Sequence, residues 1–200
     1  MGLSGAFLYL NPQIPEISSF TEVALKAPLR ILSHDDQLIQ EYGERLIPIR
    51  YEDIPPSFIS AILDTEDKRF FEHSGIDVIT LLNASWQLLA NAGEIRSGAS
   101  TITMQLVKNI SGDSEVRFIR KFKEMLLAIK LERALSKEEI LSLYLNMIPF
   151  GKHAYGIQAA AFTYYGKDIN DLNLAQTAML AGIPKAPEAG NPIKIGRAHV

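Results

Sequence analysis

The sequence predicts a mostly α-helical domain preceded by a short β-hairpin. A length of 200 residues, with 47% hydrophobic and 22% charged residues, suits one globular domain with a sizeable core. Apolar residues recur at spacings of three and four in most of the chain, and alternate with polar ones only in a short stretch near the start. The formal net charge of -3 argues against a general nucleic-acid binder. The absence of cysteine excludes a disulfide scaffold and a cysteine-based metal site.

The segment before the helices is predicted to form the hairpin. Residues 29–49 contain short alternating pieces, with turn signals at Asp35-Asp36 and Tyr42-Gly43. We therefore assign residues 18–50 to a hairpin that leads into the helical body.

The first helix is predicted to begin at Pro55-Pro56 and to close at Gly75 in a left-handed cap. Its apolar face follows spacings of three and four through Ile59, Ile62, Leu63, Phe70 and His73. Glu66 falls on the same face, where a core residue is expected. Burial raises a carboxylate's pKa, which suits an acid or base catalyst working near neutral pH. The alternative is an ordinary amphipathic helix whose Glu66 and Asp67 reach solvent at the rim.

The second helix is predicted over residues 77–92, and apolar side chains surround most of its circumference. They are Val78, Ile79, Leu81, Leu82, Trp86, Leu88 and Leu89. One buried stripe cannot hold all of them, so the helix is either central in the core or presents its outer face to lipid. Trp86 and the short length favour a helix in the membrane interface over a spanning one.

A polar helix is predicted after Gly98 and Ala99, which permit close approach of backbone at a helix start. The exposed N–H groups and the dipole at such a start favour an anion. Thr101, Gln105 and Lys108 lie at i, i+4 and i+7 and share one face. This face is either solvated or, beside the basic helix that follows, a surface for phosphate and sugar groups.

The basic helix is predicted over residues 117–133. Its buried stripe is assigned to Phe118, Phe122, Leu126 and Ile129. Its cations are Arg117, Arg120, Lys121 and Lys123, and Lys121 shares a flank with Glu124 at i, i+3. The helix is either exposed with ordinary ion pairs or part of an anion-binding surface.

Three helices complete the prediction. Ser136 and Glu139 have capping-box spacing just before the apolar run 140–145. The second is predicted over residues 156–165 and is followed by Gly166. The third is predicted over residues 172–180 and is followed by Gly182.

Five ordered segments carry a family resemblance. They are E-D-K-R-F-F-E-H-S-G at residues 66–75, G-A-S-T-I-T-M-Q-L-V-K-N at 98–109, R-K-F-K-E at 120–124, K-E-E-I-L-S-L-Y-L-N at 137–146 and L-A-G-I-P-K-A-P at 180–187. Together they resemble the glycosyltransferase family 51 domain, the peptidoglycan polymerase module of class A penicillin-binding proteins. The resemblance covers about residues 51 to 192, and chance agreement across all five segments is remote.

The resemblance implies a lysozyme-like fold whose cleft lies between a larger lobe and a smaller, membrane-facing one. It implies an inverting peptidoglycan glycosyltransferase that polymerises lipid II on the outer, periplasmic or extracytoplasmic side of the cytoplasmic membrane and releases undecaprenyl pyrophosphate. The implied partners are lipid II, the growing glycan strand, membrane lipid and cell wall synthesis proteins, with no nucleic acid.

The resemblance also assigns the site. Glu66 is the general base for the 4-hydroxyl of the acceptor sugar, and Glu124 is the second acidic residue. The implied substrate-binding residues are Asp67, Phe70, His73, Ser100, Thr101, Gln105, Lys108, Asn109, Arg120 and Lys121. No cofactor is required, but a divalent metal, Mg²⁺ or Mn²⁺, stays open, because Glu124 either holds the cations in position or shares a metal ion.

Two positions depart from the family pattern. Met104 replaces the first of two glutamines, which removes an amide with donor and acceptor capacity. Val116 stands where an arginine is usual, and the nearest arginine is Arg117. One helical step turns a side chain by ~100°, so Arg117 is carried over only weakly.

Both ends of the chain are interpreted separately from the domain. Residues 3–10 are apolar but stop at Asn11-Pro12, far short of the roughly 20 residues a spanning helix needs. Because a membrane anchor ends here in the resembling family, residues 1–17 are interpreted as the remnant of an anchor and linker.

Residues 195–200 match the translation of a common sequencing adapter and are interpreted as non-native. The catalytic domain is assigned to residues 51–194, and a transpeptidase domain is expected to follow it in the full gene.

Two rival classes stay open. A lysozyme-like glycan hydrolase also uses a buried glutamate, but as an acid and without a reason to gather cations around a pyrophosphate. A catalytically idle membrane scaffold would tolerate loss of the acids, whereas Glu66 and Glu124 are both present.

Overall fold

The computed structural model describes residues 29–32, 34–35, 38–42, 45–90, 100–111 and 117–185. Within these ranges the chain is mostly helical, as predicted. The helices are α1 Pro56–Glu66, α2 Val78–Ala90, α3 Ile102–Ser111, α4 Arg117–Ala134, α5 Lys137–Met147, α6 Ile157–Tyr165 and α7 Leu174–Gly182. The expectations for the anchor remnant, for Gly98 and Ala99, for Val116 and for the last residues lie outside the described ranges.

The strands are few and short. β1 Leu29–Leu32 and β2 Leu38–Tyr42 form the predicted antiparallel hairpin, which pairs Leu29 with Tyr42 and changes register near Leu32. β3 Arg45–Leu46 pairs in parallel with β4 Ala154–Tyr155, which lies between α5 and α6. The segment that leads into α1 is thereby attached to the second half of the domain.

Asn146, near the end of α5, strengthens this attachment. Its Oδ1 accepts from the Ile49 N–H at 2.8 Å, and its Nδ2 donates to the Ile49 carbonyl at 2.9 Å and to the Ser142 carbonyl at 2.8 Å. The side-chain amide therefore bonds both backbone groups of Ile49, as a neighbouring strand would.

The core lies around α3, α5 and α6. α3 packs against α4 and α5, while α1 packs against α7. The largest fully buried side chains are Phe58, Ile62, Phe70, Ile102, Leu106, Leu131, Ile140, Leu141, Tyr144, Leu145, Phe150 and Ile157. The capping box predicted before α5 is confirmed, since the Ser136 hydroxyl accepts from the Glu139 N–H and the Glu139 carboxylate accepts from the Ser136 N–H.

The predicted extent of the first helix is wrong. α1 ends at Glu66, and Phe70 and His73 follow it in a turn, although both are buried as expected. The Asp67 carboxylate binds groups outside the helix, and such bonds compete with continued helix formation. The helix therefore stops nine residues before Gly75.

Gly75 meets a different requirement from the predicted helix cap. Its φ is +91°, and a Cβ at this position would lie 2.8 Å from the carbonyl carbon and oxygen of Ala128 in α4. The residue is therefore a glycine both because of its backbone angle and because another helix passes close to it.

The predicted buried stripe of α4 is also wrong. Three of its members are only half-buried: Phe122, Leu126 and Ile129. The side chain of the fourth, Phe118, is not among those that the structure describes. The buried residues are Glu124, Leu127, Ala128 and Leu131. Because Ala128 is small, Gly75 can approach it closely. The face of α4 that carries Ala128 therefore packs towards the core, and the face that carries Phe122 does not.

α2 is not a central core helix. Ala84 is buried, but Val78, Ile79, Leu82 and Trp86 are exposed, and Trp86 is 72% accessible. The side chains of Leu88 and Leu89 lie outside the description. In the part of the chain that the structure describes, neither α2 nor any other helix combines the length and apolarity needed to span a bilayer.

Candidate active site

A cavity of about 740 Å³ lies where the end of α1, the start of α2, the start of α3, the inner face of α4 and the end of α7 meet. Its lining is strongly charged. The lining residues are Asp64, Thr65, Glu66, Asp67, Lys68, Arg69, Asp77, Thr80, Ser100, Thr101, Met104, Gln105, Lys108, Glu124, Pro184 and Lys185.

Glu66 is the last residue of α1 and reaches this cavity. Its Oε2 accepts a hydrogen bond from Gln105 Nε2 at 2.9 Å. Its Oε1 is buried and has no hydrogen-bond partner among the described residues. Because buried polar atoms are normally paired, this oxygen is an acceptor that lacks its donor. Within the described part of the chain, the carboxylate is thus held through Oε2 alone.

Asp67 and His73 form a buried pair beside Glu66. His73 Nε2 lies 3.1 and 3.0 Å from the two Asp67 carboxylate oxygens, and Asp67 Oδ2 also accepts from the Ile102 N–H at 3.0 Å. Asp67 therefore joins the segment after α1 to the start of α3. Asp67 lines the cavity, but His73 and Phe70 do not. Phe70 and His73 are therefore buried behind the residues that line the cavity.

Phe70 is fixed by its own contacts. Its ring is edge-on to His73, and the ammonium of Lys137 lies 4.3 Å from its centroid. Lys137 also bonds Glu132 at 2.8 Å. A cation over an aromatic face is attracted by the ring quadrupole, so α5 holds the turn that follows Glu66.

The predicted polar face of α3 lies at the cavity. Thr101, Gln105 and Lys108 all line it, but they differ in exposure. Thr101 is buried, donates to the Gly75 carbonyl at 2.6 Å and accepts from the Met104 N–H at 3.2 Å, so that its hydroxyl caps the helix. Lys108 presents an exposed ammonium. Asn109 is exposed and does not line the cavity.

Glu124 is a buried carboxylate with cationic partners. It is 4% exposed, and Lys121 Nζ lies 3.0 Å from its Oε2. Arg120 Nε lies 3.7 Å from its Oε1. Buried charges require such pairing, so the two cations and the acid form one unit on α4. The side chain of Arg117 lies outside the description.

The Asp77 side chain caps the N-terminus of α2. Its Oδ1 accepts from the N–H groups of Ile79 and Thr80, and its Oδ2 accepts from the Thr80 hydroxyl at 2.6 Å. Burial works to raise the pKa of Asp77, but the hydrogen bonds from Thr80 oppose it. Arg69, 3.7 Å away, and the Ile79 N–H act in the same direction as Thr80, so the pKa lies below its ordinary value.

No metal site can be assigned within the described residues, because they contain no group of three or more His, Asp and Glu side chains placed to share an ion. Glu66 bonds to Gln105, Asp67 to His73, Asp77 to Thr80 and Glu124 to the cations of α4.

The sequence reasoning missed several residues of the site, among them Asp77, Lys185 and Tyr144. Lys185 lines the cavity from the turn that follows α7, and its place in the fifth motif was the available signal. Tyr144 was taken only as part of the apolar run of α5. It is fully buried, yet its hydroxyl donates to Gln105 Oε1 at 3.1 Å. Its position in the K-E-E-I-L-S-L-Y-L-N motif was the signal that could have marked it.

Comparisons with known proteins cover most of the chain. Residues 35–199 match the family model described as Transglycosylase. Penicillin-binding protein 1A of Pseudomonas aeruginosa is 51% identical over 194 residues, which cover 96% of this chain and 24% of that protein. Penicillin-binding protein 1A of Escherichia coli is 44% identical over 190 residues, which cover 94% of this chain and 22% of that protein.

A solved structure is also similar. The crystal structure of penicillin-binding protein 1A from Haemophilus influenzae matches 84% of this chain and 16% of its own chain, with 30% identity and a TM-score of 0.46. This chain thus spans about a quarter of the length of the curated relatives above.

Proposed function

The chain belongs to the Transglycosylase family, and from this premise we propose that it is an inverting peptidoglycan glycosyltransferase that polymerises lipid II. The observation that carries the proposal is the arrangement of Glu66. One of its oxygens is held by Gln105, the other lacks a donor, and cations line the same cavity. Proton removal and stabilisation of a departing anion require these two kinds of group together.

In the proposed reaction, Glu66 removes the proton from the 4-hydroxyl of the acceptor N-acetylglucosamine. The resulting oxygen attacks C1 of the donor N-acetylmuramic acid from the face opposite the leaving group, so the new bond has inverted configuration. The bond between C1 and the pyrophosphate oxygen breaks, and undecaprenyl pyrophosphate leaves with the electron pair.

The cations act on the leaving group. Negative charge grows on the pyrophosphate as the C1–O bond breaks, so fixed positive groups stabilise the transition state more than the ground state. Lys108 has an exposed ammonium at the cavity, and Lys121 is held by Glu124 and Ser100. Glu124 would keep Lys121 and Arg120 in position for this contact. The roles of Ser100, Thr101 and Asn109 as further substrate contacts remain part of the proposal.

The proposed place of action is the extracytoplasmic face of the cytoplasmic membrane. The support is α2, which begins at the cavity wall with Asp77 and exposes Val78, Ile79, Leu82 and Trp86. An aromatic and aliphatic surface of this kind suits the interface of a bilayer. A lipid-linked substrate would then enter the cavity from the side on which α2 lies.

The test is turnover of labelled lipid II in detergent or vesicles by the purified chain. The proposal expects long glycan strands and released undecaprenyl pyrophosphate. Soluble fragments from preformed peptidoglycan would instead indicate a glycan hydrolase. Lipid II binding without any product would indicate a scaffold. Either of these results would overturn the proposal.

A further inference from the structure

Three side chains from different helices form a hydrogen-bonded row that ends at Glu66. The Tyr144 hydroxyl donates to Gln105 Oε1 at 3.1 Å, and Gln105 Nε2 donates to Glu66 Oε2 at 2.9 Å. Tyr144 comes from α5, Gln105 from α3 and Glu66 from α1. The row therefore crosses the core and reaches the cavity from behind.

The chemistry of the row fixes the direction of the amide. A glutamine has an acceptor at one end and two donors at the other, while an ionised carboxylate only accepts. If the side-chain amide of Gln105 were flipped, so that its oxygen and nitrogen exchanged places, the oxygen would face the Glu66 carboxylate and repel it. The Tyr144 hydroxyl prevents this by donating to the amide oxygen, because that oxygen would lose its partner on turning.

Tyr144 is suited to act as a permanent donor. Its side chain is fully buried, and burial together with the nearby Glu66 and Asp67 carboxylates raises the pKa of its hydroxyl far above the ordinary value. The phenol therefore keeps its proton and can donate it in a hydrogen bond at neutral pH.

We propose that Tyr144 is a positioning residue that orients the Gln105 amide and, through it, the carboxylate of Glu66. The inference rests on the proposed function, because it assigns Glu66 Oε2 to the amide and Oε1 to the proton of the acceptor hydroxyl. It also gives Gln105 a task inside the protein, since its oxygen and one of its N–H groups are already used. Neither Tyr144 nor its hydroxyl lines the cavity, so the residue acts through Gln105 alone.

A double-mutant cycle tests this dependence. Tyr144→Phe removes only the hydroxyl, and Gln105→Met keeps the length of the side chain but removes both hydrogen bonds. We expect kcat on lipid II to fall about tenfold in Tyr144→Phe, with KM close to the parental value. The double variant should be no slower than Gln105→Met, because the hydroxyl has nothing left to orient. Additive losses would overturn the inference.

The pH profile separates positioning from simple packing. Loss of the donated hydrogen bond disfavours the charged form of Glu66, so the acidic limb of kcat should move to higher pH in Tyr144→Phe and in Gln105→Met. Tyr164→Phe is the matched control, since that hydroxyl donates to the Phe150 carbonyl at 2.6 Å and Tyr164 does not line the cavity. Its profile should equal the parental one. An unmoved profile in Tyr144→Phe would count against the proposal.

A third measurement does not depend on turnover. The side-chain amide resonances of Gln105 in the folded full chain should shift in Tyr144→Phe and not in Tyr164→Phe. If Tyr144→Phe fails to fold, Gln105→Met must still show the moved acidic limb, and its absence would overturn the inference. If the parental chain makes no glycan strands, the proposed function fails, and the amide resonances still decide whether Tyr144 orients Gln105.

Discussion

The ammonium nitrogen of Lys121 lies 2.7 Å from the hydroxyl oxygen of Ser100, so that α4 is joined to the segment that leads into α3. The same nitrogen lies 3.0 Å from Glu124 Oε2. Lys121 is not among the residues that line the cavity, but Ser100 and Glu124 both are, so its ammonium is held next to the cavity wall. An ammonium has three donors, and these two contacts leave one for a substrate oxygen.

Lys121→Ala should therefore reduce glycan polymerisation much more than Lys123→Ala. A charge-assisted contact is worth roughly 1.5 to 3 kcal/mol, or about one to two decades in rate. Lys123 is the matched control, because two helical steps place it ~200° around α4 from Lys121. Steady-state turnover of lipid II measures both variants. Equal and small losses would mean that Lys121 does not meet the leaving group.

Glu66→Gln should abolish polymerisation while leaving lipid II binding nearly unchanged. The substitution preserves shape but cannot accept the proton, and a general base contributes on the order of 100-fold to 10,000-fold in rate. The melting temperature should stay equal or rise, because neutralising a carboxylate with an unpaired buried oxygen relieves a cost. Near-parental turnover would remove Glu66 as the base and direct attention to Asp67 or Glu124.

Replacing Leu82 and Trp86 by Ser should weaken binding to liposomes. Both side chains are exposed on α2, so their loss removes apolar surface from the proposed interface without opening the core. Leu81 is half-buried and is better left intact. Leu174→Ser is the control, because Leu174 is 77% exposed but lies on α7. Co-sedimentation that is unchanged in the α2 variant, with an intact circular dichroism spectrum, would argue against membrane contact by α2.

Gly75→Ala should destabilise the domain by on the order of 1 to 3 kcal/mol. The new Cβ would meet the Ala128 backbone at 2.8 Å, and φ of +91° is itself unfavourable for alanine. Gly166→Ala shares a positive φ of +65° but has open space, so it isolates the cost of the backbone angle. Gly182→Ala, with neither problem, should be neutral or slightly stabilising. Thermal unfolding should rank the three variants in this order.

Asp77 should make stability depend on acid pH. Its folded pKa lies below the unfolded value of about 3.9, so its contribution is complete above that value and is lost as pH falls through the folded pKa. The free energy of unfolding of the parental chain should exceed that of Asp77→Ala by about 0.5 to 2 kcal/mol near neutral pH, as for other helix caps. The difference should shrink below about pH 4. A gap that stays constant to pH 2 would show that Asp77 is not the group responsible.

The sequence predicts regular elements well where the signal is local. The capping box of Ser136 and Glu139 and the pairing of β1 with β2 depend on residues close in sequence, and both appear as expected. The end of α1 does not depend on neighbours alone. It is set by Asp67, whose carboxylate bonds the N–H of Ile102 some 35 residues away. Periodicity contains no information about such a contact.

The residues of the site also divide into those that the local sequence marks and those that only a long-range contact places. Glu66, Gln105, Lys108 and Glu124 were predicted, because family motifs mark them directly, and the structure brings them to one cavity. Tyr144 was not, since a tyrosine at a helical apolar position is usually a core residue. Only the three-dimensional packing of α3 against α5 places its hydroxyl beside an amide oxygen.

The amide of Asn146 has a practical consequence for any shortened version of the domain. A chain trimmed to begin at residue 51 would lack Ile49 and β3, and the Asn146 amide would lose two of its three partners. Ala154 and Tyr155 would lose their paired strand as well. Trimming should therefore stop before Arg45, and limited proteolysis that cuts between residues 45 and 50 should lower the stability of the remaining domain rather than remove a harmless tail.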